Sequence, residues 1–273
     1  MVRRSIHSEY MVNMPPFAVI TGASRGIGAE YARALASQGY DLLLVARDQN
    51  RLDQLAGGLR QTYSVQVRTQ TLDLARPNAG STLYRMAQSY RPHVSVLVNN
   101  AGFGMYGLFA SMPLSSIQDM LHVHIHVTTE STRLFLPDMM KQHRGAIINV
   151  ASVAGLFPIP YMAEYAATKA FIISFSEAVG MEARESGVTI QVCCPGFTET
   201  DFHQTAKHRP RHILPPQTPR EVVQTSLNAL KSNKTLVTIG WPGVATRIAR
   251  CMPNRFLMCL TSRFVRPNSS FSH

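Results

Sequence analysis

Tyr165-Ala166-Ala167-Thr168-Lys169, with Ser152 thirteen residues upstream, gathers a phenol, an ammonium and a hydroxyl. Those three groups can meet a single carbonyl oxygen. The phenol gives or takes the proton, the hydroxyl binds the oxygen, and the ammonium steadies negative charge as it develops. Residues i and i+4 share a helix face, so a helix here brings Tyr165 and Lys169 to one site. Of the nine tyrosines, only Tyr165 has a lysine four places on. The plain alternative is a half-exposed helix pair, and what surrounds it decides between the two.

A second group of residues has the chemistry of a phosphate site. In Thr21-Gly22-Ala23-Ser24-Arg25-Gly26-Ile27-Gly28, Gly22 permits a tight turn and Gly26 a close backbone approach to a pyrophosphate. Gly28 allows a helix to pack closely on a strand, and the free N–H groups at that helix start attract anions. At the end of the second strand, an acid would accept hydrogen bonds from an adenosine ribose. Arg47 stands there instead, in Val45-Ala46-Arg47-Asp48. Arg47 and Arg25 together suit a 2′-phosphate, which favours NADP(H) over NAD(H). Asp48 is expected to point away.

Such groups act together only if the chain brings them to one edge of a sheet. Phe17–Ile20, Leu42–Ala46, Val65–Thr71, Val94–Val98, Ala146–Val150 and Val188–Cys193 are short, continuous apolar runs. Runs of that kind suit parallel strands covered on both faces. Between them, 29–38, 49–61, 115–140 and 163–185 have helical periodicity. The alternation predicts an α/β fold, a Rossmann-like doubly wound parallel sheet whose ligands bind beyond the carboxyl ends of the strands. We divide the chain into an N-terminal extension (1–16), one catalytic domain (17–240) and a basic helical C-terminal extension (241–273). In the last of these, Pro253 splits an arginine-studded apolar stretch into two short helices.

The chain has 273 residues, 45% hydrophobic and 16% charged, which reads as globular and large enough for a sizeable core. Cys193, Cys194, Cys251 and Cys259 include no Cys-x-x-Cys pair, which suits free thiols in a reducing compartment. No apolar h-region follows Met1-Val2-Arg3-Arg4, and no run has the ~18 apolar residues of a spanning helix. A cytoplasmic protein is expected. The net charge of +11 is concentrated late: residues 207–273 hold eleven Lys and Arg against one acid, Glu221. That stretch is either a solvated face or a contact for anionic lipid, an acidic substrate or nucleic acid. No recognition helix or RNA-stacking motif accompanies it, so nucleic acid ranks last.

In combination, these motifs resemble the short-chain dehydrogenase/reductase family over residues 17 to about 202. Thr21–Gly28 fits its T-G-x-x-x-G-x-G loop, and Asp73-Leu74 the position that meets the adenine. Asn99-Asn100-Ala101-Gly102 fits its N-N-A-G element, and Ser152, Tyr165 and Lys169 its catalytic serine and Y-x-x-x-K pair. Pro195-Gly196-Phe197-Thr198-Glu199-Thr200 fits the P-G-x-x-x-T stretch that holds the nicotinamide carboxamide. The resemblance implies cofactor contacts at Gly22, Ser24, Arg25, Gly26, Ile27, Gly28, Arg47, Asp73, Leu74, Asn99, Ala101 and Gly102. It implies more at Tyr165, Lys169, Pro195, Gly196, Thr198 and Thr200. It also implies that Tyr165 is the general acid or base, that Lys169 lowers its pKa and binds the nicotinamide ribose, and that Ser152 polarises the substrate oxygen.

One position departs from the family pattern. Where the family has an asparagine, thirteen residues before Pro137, this chain has His124. In the family the backbone carbonyl there holds a water leading to the lysine, and the side chain supports a local helix distortion. A histidine keeps the backbone role and, titrating near neutrality, is a candidate proton relay. His122 and His126 are also i, i+4 neighbours. With no acid between them they read as packed histidines, and no metal is expected.

The family's substrate pocket maps here onto Phe103, Met105, Tyr106, Leu156, Phe157, Ile159, Phe197 and Phe202. That apolar set points to a hydrophobic, lipid-like ketone, aldehyde or alcohol. The favoured function is an NADP(H)-dependent carbonyl reductase. The alternative is an NADP(H)-binding regulator or scaffold whose catalysis His124 impairs. The basic segment is a possible peripheral membrane contact, and the helices over 115–140 and 163–185 suit a homodimer.

Overall fold

The computed structural model describes residues 14–198, 216–240 and 253–265. In chain order the elements are β1 (Phe17–Thr21), α1 (Gly26–Ala36), β2 (Asp41–Ala46), α2 (Gln49–Tyr63), β3 (Val67–Thr71), α3 (Ala79–Tyr90) and β4 (Val96–Asn99). There follow α4 (Leu114–Leu121), a π-helical turn (His122–His126), α5 (Val127–Lys141), β5 (Gly145–Val150), α6 (Ala163–Glu182) and β6 (Val188–Cys194). The described elements end with α7 (Pro219–Leu230), β7 (Leu236–Thr238) and α8 (Asn254–Val265).

The seven strands form one sheet in the order β3-β2-β1-β4-β5-β6-β7, and every pairing is parallel. Successive side chains on a strand face opposite sides, and helices cover both. Ala18, Ile20, Leu42 and Leu44 therefore pack with Tyr31, Leu35 and Val222 on one side. Val19, Leu43, Leu97 and Ile147 pack with Phe135 and Leu83 on the other. That is why the strands read as continuous apolar runs. Each fully buried Leu or Ile contributes roughly 1.5–3 kcal/mol.

β1 lies between β2 and β4, with Ile20 opposite both Leu44 and Val98. The chain winds outward in one direction from β1 and in the other from β4. The carboxyl ends of these two strands thus flank the point where the strand order reverses, where a crevice opens.

The elements differ from expectation in three places. The helix expected over 115–140 is two helices joined by the π turn, where Val127 N–H reaches back five residues to His122 C=O. A π turn inserts one residue without ending the helix, so the apolar periodicity runs through it unbroken. A seventh strand, β7, adds to the six expected, its three residues too few for a periodic signal. α3 and α7, left unassigned above, fill the remaining crossovers. Of the C-terminal extension, α8 begins directly after Pro253, and the first of its two expected short helices falls outside the described residues.

Candidate functional site

The crevice at the switch point is a cleft of about 770 Å³. Among the residues lining it are Gly22, Ser24, Arg25, Gly26 and Ile27 from the first loop and Arg47 after β2. Asp73 and Leu74 line it after β3, and Ala101 and Gly102 after β4. Ser152, Tyr165, Lys169, Pro195, Gly196 and Thr198 line it too, whereas Gly28, Asn99 and His124 of the expected set do not. Thr200 and Phe202 lie outside the described residues.

The glycine loop is shaped for close approach. Gly22 and Gly26 have φ of +64° and +55°, a region where side chains strain the backbone. A Cβ on Gly28 would come within 2.3 Å of Gly22 O and 2.5 Å of Asn100 Nδ2, so α1 seats directly on the loop. Gly28 itself packs behind the cleft lining. The first turn of α1 holds no acid and no side chain caps its first N–H groups, leaving the helix dipole directed at the cleft.

Asn99 requires a correction. Its side chain turns away from the cleft and is buried, donating to Asn149 Oδ1 (2.9 Å) and accepting from Ser131 Oγ (2.9 Å). The next residue, Asn100, faces the loop. Its Nδ2 donates to the Thr21 carbonyl (2.9 Å) and, at 3.2 Å, to the Gly22 carbonyl. Thr21 Oγ1 in turn accepts from the N–H groups of Asn100 (3.0 Å) and Ala101 (3.1 Å). Asn100 thus braces the glycine turn, while the cofactor contact expected at Asn99 is not one its side chain faces. Strand alternation was the available signal, because the last residue of β4 must face the layer beneath.

Asp48 also differs from expectation. It lies at the cleft wall, where its Oδ1 accepts from Arg51 N–H (3.1 Å) and caps α2. Its other oxygen pairs with Arg51 Nε at 3.4 Å. Arg51, which the sequence reading passed over, joins Arg25 and Arg47 as a third guanidinium at this end of the cleft.

At the opposite end, α6 carries Tyr165 and Lys169 on one face, both buried. The turn after Ser152 lies hard against that helix: a Cβ on Gly155 would meet the Lys169 carbonyl carbon at 2.5 Å. Ser152 hydrogen-bonds with Tyr165, and its Oγ also accepts from Ala154 N–H (3.1 Å). Lys169 Nζ donates to the Val150 carbonyl (2.9 Å) and lies 5.7 Å from the centre of the Tyr165 ring. Burial pulls the Lys169 pKa down to about 8. Burial also pushes the Tyr165 phenol above the ordinary tyrosine value, against the lowering hydrogen bond from Ser152. Among the protein's own groups, the phenol is therefore held in its acid form.

His124 is fully buried and its ring nitrogens are both engaged. Phe103 N–H donates to Nε2 at 3.1 Å, and Nδ1 lies 2.8 Å from Thr168 Oγ1. The Thr168 hydroxyl donates to the Tyr165 carbonyl (2.8 Å), so Nδ1 must carry the proton between His124 and Thr168. Burial first, and Lys169 second, hold the His124 pKa well below the usual value. A neutral ring with one donor and one acceptor committed has no lone pair or proton to spare. The proton-relay role expected of this histidine is not one its geometry offers. Gly102 makes room for it, since a Cβ there would lie 2.8 Å from Nε2. His122 and His126 stack on each other, with ring centres 4.9 Å apart.

Of the apolar set, Phe103, Met105, Tyr106, Phe157 and Ile159 gather around Tyr165, joined by Met120 and Met162. Burial pushes the Tyr106 phenol up to about 12. Leu156 departs from expectation and packs with Ile172, Ile173 and Val192 in a neighbouring cluster. Phe197 lines the cleft.

A switch-point cleft with a glycine-lined helix start at one end and serine, tyrosine and lysine at the other defines a nicotinamide-dependent oxidoreductase on a Rossmann-like sheet. The chain belongs to the short-chain dehydrogenase/reductase family: the family profile described as short chain dehydrogenase matches residues 16–211. It is 31% identical over 235 residues to the ketoacyl reductase HetN of Nostoc sp., covering 86% of this chain and 82% of that one. It is 34% identical over 220 residues to a very-long-chain 3-oxoacyl-CoA reductase of Phaeosphaeria nodorum, covering 78% of this chain but only 63% of that relative. Among solved structures, a short-chain dehydrogenase from Sphingobium yanoikuyae in complex with NADPH superposes with a TM-score of 0.79. That structure is 30% identical, with 94% of this chain and 99% of that one covered.

Proposed function

We propose that this oxidoreductase uses NADP(H) to reduce a hydrophobic ketone or aldehyde, a long-chain 3-oxoacyl compound being the leading class. The observation that carries it is one cleft with three arginines at one end and the Ser152–Tyr165–Lys169 group inside an apolar pocket at the other. The cofactor fits the residues present: Gly22 and Gly26 open the turn, α1 points its N-terminus at the pyrophosphate, and Arg25, Arg47 and Arg51 suit a 2′-phosphate. Asp48 offers little competition for a ribose hydroxyl, because its carboxylate is already engaged by Arg51. When bound, the nicotinamide supplies the hydride.

The chain's own residues then handle the oxygen and its proton. Ser152 Oγ donates to the substrate oxygen as it becomes negative. Tyr165, kept neutral by burial, is in the form that donates the proton during reduction. Lys169 holds positive charge beneath both. His124 is assigned a positioning part: its ring ties Phe103, on the pocket wall, to the first turn of α6 through Thr168. Because that tie leaves Tyr165 and Lys169 in place, the impaired-regulator alternative loses its main support.

The relatives named as ketoacyl and 3-oxoacyl-CoA reductases support the substrate class, as do Phe103, Met105, Met162 and Phe157 around Tyr165. Loss of absorbance at 340 nm with NADPH and a panel of hydrophobic ketones and 3-oxoacyl thioesters tests the reading. Tyr165→Phe should lower turnover by about 10²–10⁴. Tight NADPH binding without any Tyr165-dependent oxidation would instead identify a regulator. No helix among the described residues is long and apolar enough to cross a membrane. Peripheral membrane contact through basic residues 241–273 belongs to the same proposal, and equal liposome flotation with and without them would remove it.

A further inference from the structure

Behind the cleft wall, buried and outside the cleft lining, lies Gln217. The chain leaves β6 through Pro195, Gly196, Phe197 and Thr198, all of which line the cleft. It returns at Gln217, which pairs with Thr198 in an isolated parallel bridge. Gln217 Oε1 accepts from Gly196 N–H (2.9 Å), and its backbone N–H donates to Phe197 C=O (2.7 Å). Its Nε2 donates to Ile239 C=O (2.8 Å), just past β7. On the other side of the same stretch, Pro195 C=O accepts from Val153 N–H (3.0 Å), beside Ser152. The seating is close: a Cβ on Gly196 would lie 3.2 Å from Gln217 Oε1.

We propose that Gln217 is a positioning residue for the nicotinamide half of the cleft. The inference rests on the NADP(H) reading above. In that reading, hydride must arrive beside Tyr165 and Ser152, so the wall formed by residues 195–198 flanks the nicotinamide end. The arginines mark the adenosine end. Nothing in the strand itself fixes the 195–198 backbone: β6 ends at Cys194, and the edge contact with β7 ends at Thr238. One buried amide, bonded to Gly196 and Ile239 at once, replaces the missing ladder. A carboxamide side chain is suited to this because it donates and accepts without charge. Gln217 acts through the loop and not on the substrate.

The two ends of the cleft can be probed separately. Calorimetry measures binding of NADP⁺, which spans both ends, and of 2′,5′-ADP, which carries only the adenosine half. Gln217→Met keeps the length of the side chain but removes both hydrogen bonds. It should weaken NADP⁺ about tenfold, the worth of about one buried hydrogen bond, and leave 2′,5′-ADP unchanged. Gln217→Glu keeps an acceptor for Gly196 N–H and should recover part of the loss; if the Met variant does not fold, it carries the comparison alone. Equal weakening of both ligands would show a general structural effect and overturn the proposal, as would no change in either. A wild-type chain that bound neither ligand would overturn the NADP(H) reading and this inference with it.

Discussion

His124 shows how a change of residue type can leave a site's architecture standing. Its neutral ring spans the gap between two elements, because Phe103 N–H fills its acceptor and Thr168 takes its donor. With its pKa well below the usual value, the ring stays neutral through the range in which the enzyme would be assayed. His124→Asn should therefore keep the wild-type pH–rate profile, even if kcat changes. A profile that loses or shifts a limb would restore the relay role. His124→Leu strands Phe103 N–H and takes away the donor to the Thr168 hydroxyl, and should cost about 1–3 kcal/mol in denaturant unfolding. The sequence pointed to His124 only through its departure from a family pattern. It could not show which partners the ring takes, because Phe103 and Thr168 are 21 and 44 residues away. The opposite facing of Asn99 and Asn100 comes from one residue of strand parity, and their partners are likewise distant in sequence.

At the scale of elements, the strands and their order of use were legible because both sheet faces are buried and the apolar runs are unbroken. The glycine loop and the Tyr165–Lys169 helix were legible because each needs particular residues at fixed spacing. The π turn, β7 and the tie at Gln217 were not, since each depends on partners brought together by the finished sheet. So does the polar link beneath the sheet. Tyr31 on α1 donates to Ser226 Oγ on α7 (2.6 Å), and Gln191 Nε2 on β6 donates to the Ser226 carbonyl (3.1 Å). Ser226 Oγ also donates to Gln191 Oε1, so one hydroxyl joins three elements. All of it is buried, and burial pushes the Tyr31 phenol well above its ordinary value. Ser226→Ala leaves both partners short of a bond. It should destabilise the fold by about 1–3 kcal/mol while leaving KM for substrate unchanged, since no part of this link faces the cleft. An unchanged denaturation midpoint would mean that the link contributes nothing net.

For the whole molecule, the candidate site has a cost in stability that follows from burying a cation. Lys169 has its pKa lowered from 10.5 to about 8, with desolvation the leading cause. A group whose folded pKa lies below its unfolded value binds fewer protons in the native state, so stability rises with pH between the two values. Below about pH 8 both states are protonated, and the penalty is present in full. A shift from 10.5 to about 8 corresponds to roughly 3 kcal/mol, less about 1 kcal/mol for the Val150 carbonyl that would lose its donor. Lys169→Met should therefore abolish turnover yet melt a few degrees above wild type at pH 7, the exchange of stability for activity common at functional sites. The gap should narrow as pH is raised from 8 toward 10.5, because the wild-type chain then sheds its proton on folding. Thermal melts of both chains across that range measure it directly. A variant no more stable at pH 7, or a gap that widens with pH, would mean that Lys169 is better solvated or better paired than its burial implies.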